Sequence, residues 1–255
     1  MLTEPQWLGL ENYRQILIQD ELFWKALINT IYYTFVSVPL QMVGGLIIAL
    51  LLNRNWRGIG WFRGIFYLPQ IVAGVAFSIL WMWILHPHYG LLNYILGKFG
   101  IRPIPWFLSK TWAMPTLILI SLWGLGDKML IYLAGLKGIP AYLYEAAEID
   151  GATPWSKFVS ITLPMLSPSL FFTLVMGIIW SFQVFTASYI ITGGGPDNAT
   201  LVYVLYLYRT AFQQFRMGYA SALAWIFLVI ILCFTSLIFK SSPLWVYYEG
   251  ELKMR

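Results

Sequence analysis

Charge is scarce in this chain. Only 11% of its 255 residues are Asp, Glu, Lys or Arg, against 59% hydrophobic residues. A soluble domain carries about a quarter charged residues, so an ordinary soluble surface is excluded and lipid must absorb the deficit. Cysteine is nearly absent too. The one present, Cys233, lies in an apolar run, which leaves no disulfide partner and no thiolate metal spacing. Histidine is limited to His86 and His88, which flank Pro87 after an apolar segment and read as loop residues rather than ligands. The net charge of +5 is spread over several loops without a basic run, so nucleic acid is not an expected partner. No Walker-type loop, GxSxG, HExxH or CxxC pattern occurs. Catalysis by this chain is therefore not expected, and no metal is assigned.

What the chain does have is long apolar stretches. A helix crossing a hydrocarbon core about 30 Å thick needs roughly 20 apolar residues. Five spans are predicted, at about 27–52, 64–85, 112–136, 165–191 and 219–239. Thirteen Trp and sixteen Tyr suit an interfacial aromatic belt. Residues 1–25 mix Glu4, Glu11, Arg14 and Asp20 with Trp7, Leu10, Ile16 and Leu17. That pattern is not a signal peptide, and it predicts an amphipathic helix lying on the membrane.

Orientation follows from Lys and Arg, which favour the cytoplasm in short loops. One set of loops holds Arg54, Arg57, Arg63, Lys128, Lys137, Lys157, Lys240, Lys253 and Arg255; the other holds Arg14, Lys25, Lys98, Arg102, Lys110, Arg209 and Arg216. The nine-to-seven split puts the N-terminus outside and the C-terminus in the cytoplasm. With an odd span count and an external start, either the N-terminus is translocated as it stands or a further span lies upstream, and the second is expected. The domain reading is an external amphipathic segment at 1–25, a transmembrane domain at 26–240 containing a cytoplasmic loop at 137–164, and a cytoplasmic tail at 241–255.

The most informative stretch is that loop, EAAEIDGATPWSKFVSITLP at 145–164. Pro140 suits a first helical position, and Tyr142, Ala146 and Ile149 share a face at i, i+4 and i+7. Gly151 stands where a helix C-terminus wants positive φ. Thr153-Pro154 is an N-cap followed by a first-turn proline. A second short helix would carry Trp155, Phe158, Val159 and Thr162 on one face, closed by Leu163-Pro164 before span four. The stretch thus reads as helix, glycine turn, helix. Physics alone leaves open whether it is a docking knob or a structured loop without a partner.

Glu145-Ala146-Ala147, Gly151 and Ile161-Thr162-Leu163-Pro164, at this spacing, resemble the signature loop of binding-protein-dependent ABC importer permeases. GLENYRQIL at 9–17, NTIYYT at 29–34, ITGGGPDNAT at 191–200 and YRTAFQQFRMGYASA at 208–222 are similar to the carbohydrate-type branch, related to the maltose and glycerol-phosphate permeases. The resemblance runs over nearly the whole chain from residue 8, except for an additional N-terminal span usual in the family. It implies an all-α, polytopic transmembrane helical bundle of the type I importer permease fold, in a bacterial-type inner membrane. It implies three protein partners: an ATP-binding subunit, a second permease and an extracytoplasmic solute-binding protein. This chain would hold no cofactor, with ATP and Mg on the ATPase subunit. The loop would be the coupling helix, with Glu145 and Gly151 at the centre of the contact, Ala146, Ala147, Asp150 and Ala152 around them, and Ile161, Leu163 and Pro164 completing the motif.

Two further features keep two readings each. Gly193-Gly194-Gly195-Pro196 is either an ordinary turn or, by resemblance, part of the face met by the solute-binding protein. In span four, Trp180, Ser181, Gln183 and Tyr189 are candidates for the solute pathway, because polar groups within spans face a cavity or a neighbouring helix; interhelical hydrogen bonding is the other reading. Asp127-Lys128 in span three is read as a structural or gating pair rather than a proton relay. An ion-gradient-driven transporter would show paired broken helices in inverted repeats, and no convincing pairing is found. A membrane-embedded enzyme would need ionisable clusters within spans, and only Asp127 and Lys128 qualify.

Overall fold

The computed structural model describes residues 7–54 and 56–247. Every regular element among them is helical. The order is α1 (Glu11–Ile18), α2 (Glu21–Leu52), α3 (Ile59–Ile71), α4 (Gly74–Ile84), α5 (Leu91–Lys98), α6 (Ala113–Ser121), α7 (Gly126–Gly138), α8 (Ala141–Ile149), α9 (Pro154–Phe182), α10 (Tyr203–Tyr208) and α11 (Met217–Ser241). By length and composition, α2, α9 and the α11 stretch Met217–Leu244 can each cross a membrane, and α3 with α4 and α6 with α7 form two interrupted pairs. Counting each pair as one span gives five. Large apolar side chains along α11, among them Trp225, Val229, Leu232 and Leu237, remain exposed; lipid or partner helices cover such faces.

The predicted spans shift in detail. Span one begins at Glu21 rather than near residue 27, because Asp20 Oδ1 accepts the Phe23 N–H at 3.0 Å and caps the helix. Span two breaks at Val72-Ala73, just past Pro69. Span three is interrupted by a 3₁₀ turn at Leu122–Gly124. Span four starts at Pro154 and ends at Phe182, so Leu163-Pro164 does not close a separate helix. Instead a π turn at Phe158–Thr162 carries the chain into the span, with the Leu163 N–H reaching back to the Phe158 carbonyl. Residues 1–6 of the amphipathic segment and 248–255 of the tail lie outside the described residues.

The chain divides into two compact units. One gathers the described residues up to Thr34, Gly74–Ile118 and Ser181–Cys233; the other gathers Phe35–Ala73, Leu119–Trp180 and the described residues from Phe234 on. The basic loops assigned to the two sides of the membrane fall into different units: Arg14, Lys25, Lys98, Arg102, Lys110, Arg209 and Arg216 in the first, and Arg54, Arg57, Arg63, Lys128, Lys137, Lys157 and Lys240 in the second.

In the first unit Tyr203 is the centre. Its ring stacks on Phe227 (4.7 Å, 13°), its hydroxyl donates to the Leu223 carbonyl at 2.8 Å, and its N–H donates to Thr30 Oγ1 at 2.8 Å. Asp20 Oδ2 accepts hydrogen bonds from both Tyr206 and Tyr219, tying the start of α2 to α10 and α11. In the second unit α7 turns Met129, Tyr132, Leu133 and Leu136 towards Ala49 and Leu52 of α2 and Leu166 of α9. These positions follow the helical i, i+3, i+4, i+7 rule. The Tyr132 hydroxyl is buried and satisfied by Thr173 Oγ1 at 2.6 Å. Small residues allow the close approach that membrane helices need. A Cβ on Gly126 would lie 2.8 Å from both the Phe66 carbonyl oxygen and Tyr67 Cα, whereas one on Gly138 would meet nothing within 4 Å.

Gly126→Ala should therefore destabilise the purified protein by about 1–3 kcal/mol through overpacking against backbone. Gly138→Ala should leave the thermal midpoint in detergent unchanged or slightly raised. Equal midpoints for the two variants would contradict this packing.

Candidate functional site

Residues 138–164 form a helix–turn–helix knob whose every bend has a local cause. Pro140 is extended (ψ 132°) and precedes α8 as its cap, one position earlier than the first helical residue. α8 ends in paired reverse bonds: Ala152 N–H to the Ala147 carbonyl at 2.8 Å, and Gly151 N–H to the Glu148 carbonyl at 3.0 Å. This is the Schellman arrangement, and it requires a left-handed residue between; Gly151 supplies it with φ +72°. Thr153 Oγ1 then accepts the Ser156 N–H at 3.2 Å and caps α9.

Two side-chain links close the knob. Lys157 Nζ pairs with Glu148 Oε1 at 2.7 Å across the turn. The hydroxyls of Tyr144 and Thr162 meet at 2.9 Å. Lys157 holds the Glu148 carboxyl below its ordinary value, first by its hydrogen bond and then by its charge. Inward, Leu143, Tyr144 and Ile161 pack on the α7 core. Outward, Tyr142, Ala146 and Ile149 lie on one exposed face, with Ile149 88% exposed and Trp155 72% exposed beyond the turn. Glu145, Asp150 and Gly151 are exposed as well. Ala147, Ala152, Ile161, Leu163 and Pro164 are half-buried. An ordered knob presenting apolar side chains outward is a surface built for a partner.

The four pathway candidates do not act as a group. Trp180 lines a cavity of about 280 Å³ with Tyr67, Asp127, Lys128, Phe172 and Met176. Lys128 donates to Gln41 Oε1 at 2.8 Å, and Gln41 donates to Ser121 Oγ at 3.0 Å. Ser181 is buried and donates to Thr34 Oγ1 at 3.0 Å, which is the interhelical reading. Gln183 is exposed just past the end of α9, so the face expected to join Trp180, Gln183 and Ala187 is interrupted. Tyr189 sits in a π turn at Ser188–Thr192, stacked on Phe185 (5.2 Å, 12°) and edge-on to Tyr208 (5.4 Å). Sequence reasoning did not find Tyr67, Phe172 or Met176, because their spacing matches that of any apolar helix.

The Gly193–Pro196 run is a buttressed turn. Gly193 and Gly194 have φ +54° and +83°, and a Cβ on Gly194 would press on Leu205 at 3.2 Å. Arg209 donates to the Gly193 carbonyl, and Asn29 Nδ2 donates to the carbonyls of Asn198 and Leu201 at 2.9 and 3.0 Å. Gly194 is buried, while Gly193, Gly195 and Pro196 are half-buried. Asp197 projects, held by Lys110 at 2.6 Å and with Lys25 at 3.9 Å. Lys110, then Lys25, keep its carboxyl below the ordinary carboxylate value.

Apolar helices able to cross a membrane, with an ordered knob at the surface, fit the permease subunit of a membrane transporter. Residues 23–243 match the family described as binding-protein-dependent transport system inner membrane component, and the chain belongs to it. It is 45% identical to the "Probable ABC transporter permease protein YesP" of Bacillus subtilis (strain 168), covering 98% of this chain and 82% of that protein. It is 36% identical to the trehalose/maltose transport system permease protein MalF of Thermococcus litoralis, covering 94% and 81%. Among solved structures, a bacterial ABC transporter involved in the import of the acidic polysaccharide alginate superposes with a TM-score of 0.85 at 26% identity, covering 94% of this chain and 85% of that one. The fold is that of a type I importer permease, as the resemblance implied. These matches lend no support to an ion-gradient-driven transporter.

Two measurements check the geometry. The Glu148 carboxyl, followed by carbon NMR, should titrate below the ordinary glutamate value, so the link to Lys157 is intact at neutral pH and is lost as pH falls through that depressed value. Lys157→Met should move the midpoint up towards the ordinary glutamate value; an unmoved midpoint would contradict the pairing. In transport assays, Trp180→Ala should raise the solute KM by about tenfold or more. Ser181→Ala should instead cost about 1 kcal/mol of stability with KM unchanged, and the reverse pattern would contradict the placement.

Proposed function

We propose that this chain is the membrane-spanning permease subunit of an ATP-driven importer of sugars, forming half of the translocation pathway and drawing its power from a separate ATP-binding subunit. The observation that carries the reading is the knob at 138–164: pre-ordered and outwardly apolar, in a chain of the binding-protein-dependent family. Glu145 and Gly151 would be the centre of the ATPase contact, with Ala146, Ala147, Asp150 and Ala152 beside them. Ile161, Leu163 and Pro164 would join the knob to the span. In this reading the chain does no chemistry, and ATP and Mg stay on the ATPase subunit.

A second permease completes the pathway and an extracytoplasmic solute-binding protein delivers the solute. Trp180 with Tyr67 offers ring faces of the kind sugars stack on, and a trehalose/maltose permease among the relatives supports a carbohydrate. The loop at Gly193–Pro196 would belong to the delivery side, with Asp197 as its most prominent side chain. An external N-terminus and a cytoplasmic C-terminus agree with the excess of Lys and Arg in the loops beside the knob.

The test is co-purification of the ATPase subunit with the chain and its partner permease. Gly151 has φ +72° and open space around it, so a side chain there meets conformational cost of about 1–2 kcal/mol rather than collision. Gly151→Val should reduce the ATPase recovered by about tenfold or more, and Gly151→Asn, which tolerates the left-handed region, should retain most of it. Equal recovery with all three proteins, or recovery with none, would overturn the reading.

A further inference from the structure

The segment between α4 and α6 builds a cavity that the coupling and transport readings leave unused. It measures about 300 Å³ and is lined by Trp83, Pro87, His88, Tyr89, Tyr94 and Pro103, among others. All of these residues belong to the first unit. The frame is pinned by one side chain. Asn93, only 6% exposed, donates to the carbonyls of Pro87 and Ile104 at 3.0 and 2.9 Å, and accepts from Ile104 N–H at 3.2 Å and Trp106 Nε1–H at 2.9 Å. Every hydrogen-bonding valence of the amide is used, so Asn93 serves the frame and not a ligand.

The rings on the frame are held as well. His86 stacks on Tyr89 (3.4 Å, 12°), and Lys98 sits over Tyr94 at 4.9 Å. Yet Tyr89 and Tyr94 stay 66% and 64% exposed. The Trp83 indole N–H, the His88 ring nitrogens and the hydroxyls of Tyr89 and Tyr94 find no hydrogen-bond partner among the described residues. No Asp or Glu occurs from Met82 to Trp112. A fixed aromatic wall edged by unpaired donors and acceptors matches one ligand chemistry closely. A pyranose ring offers C–H faces to stack on rings and hydroxyls at its edge. The volume is at the lower end of ligand cavities, enough for one or two sugar rings.

We infer that this cavity binds a saccharide, as a second sugar site separate from the Trp180 cavity. The inference rests on the sugar-importer reading for its substrate class. Weak, rapidly reversible binding is expected, because the site is open and no carboxylate lies in the segment to accept hydrogen bonds from sugar hydroxyls.

The experiment is saturation-transfer NMR with maltose and lactose on the full chain in lipid nanodiscs, without ATP or a binding protein. Ring-proton transfer should be seen with the wild-type chain. It should fall by about tenfold in Tyr89→Ala/Tyr94→Ala and only by about threefold in Tyr89→Phe/Tyr94→Phe, which keeps the rings. Both tyrosines are exposed, so an unchanged melting profile of the alanine variant separates loss of the site from loss of the fold. Trp180→Ala in the same assay should leave the tyrosine-dependent part intact. No transfer from either sugar, or transfer unaffected by the tyrosine substitutions, would overturn the inference. ATPase co-purification on the same preparations does not depend on this cavity, so failure here and failure of the importer reading are distinguishable.

Discussion

One helix carries the rest of the account, running from Pro154 to Phe182 through two prolines, Pro164 and Pro168. It begins inside the surface knob, capped by Thr153, and ends within the span that contributes Trp180 to a cavity. A prolyl residue at 164 removes an N–H and crowds the carbonyl four residues back. The π turn at Phe158–Thr162 widens the helix just ahead of it, so the chain passes Pro164 without stopping. Because the helix continues through both prolines, the knob and the span are parts of one element.

The knob is held in register with that helix by inexpensive local chemistry. Gly151 supplies the left-handed turn, the paired reverse bonds end α8, and Lys157 reaches back to Glu148 across the turn. The Tyr144–Thr162 contact and the packing of Leu143 and Ile161 fix the pair of helices onto α7. What remains outward is Tyr142, Ala146, Ile149 and Trp155. A docking partner would then meet a surface that needs little ordering on binding, which keeps the entropic cost of association low.

Much of this was legible in the residues. The Gly151 turn, the Thr153 cap and the five apolar stretches each rest on short-range rules, and short-range rules survive in a single sequence. Other features depend on where distant side chains meet. The start of α2 at Glu21 follows from the Asp20 cap, and that carboxylate also binds Tyr206 and Tyr219, 186 and 199 positions away. Leu163-Pro164 reads as a stop because a π turn leaves no mark in composition. The break between α3 and α4 and the end of α9 at Phe182 are likewise invisible to hydropathy, which sees apolar residues but not interrupted hydrogen bonds. Ser181 and Trp180 are neighbours with equal sequence credentials, and only their contacts separate a buried link to Thr34 from a cavity wall.

The most direct test asks whether knob and span move as one body. Spin labels at Ser156→Cys and Phe172→Cys, both exposed positions, would be placed in a Cys233→Ser background. At 1.5 Å per residue, their separation along the helix is about 24 Å. The account predicts one narrow distance that does not change when ATP is added to the assembled transporter. A distribution that broadens, or that shifts by several ångströms on ATP addition, would show a joint between knob and span and would contradict it.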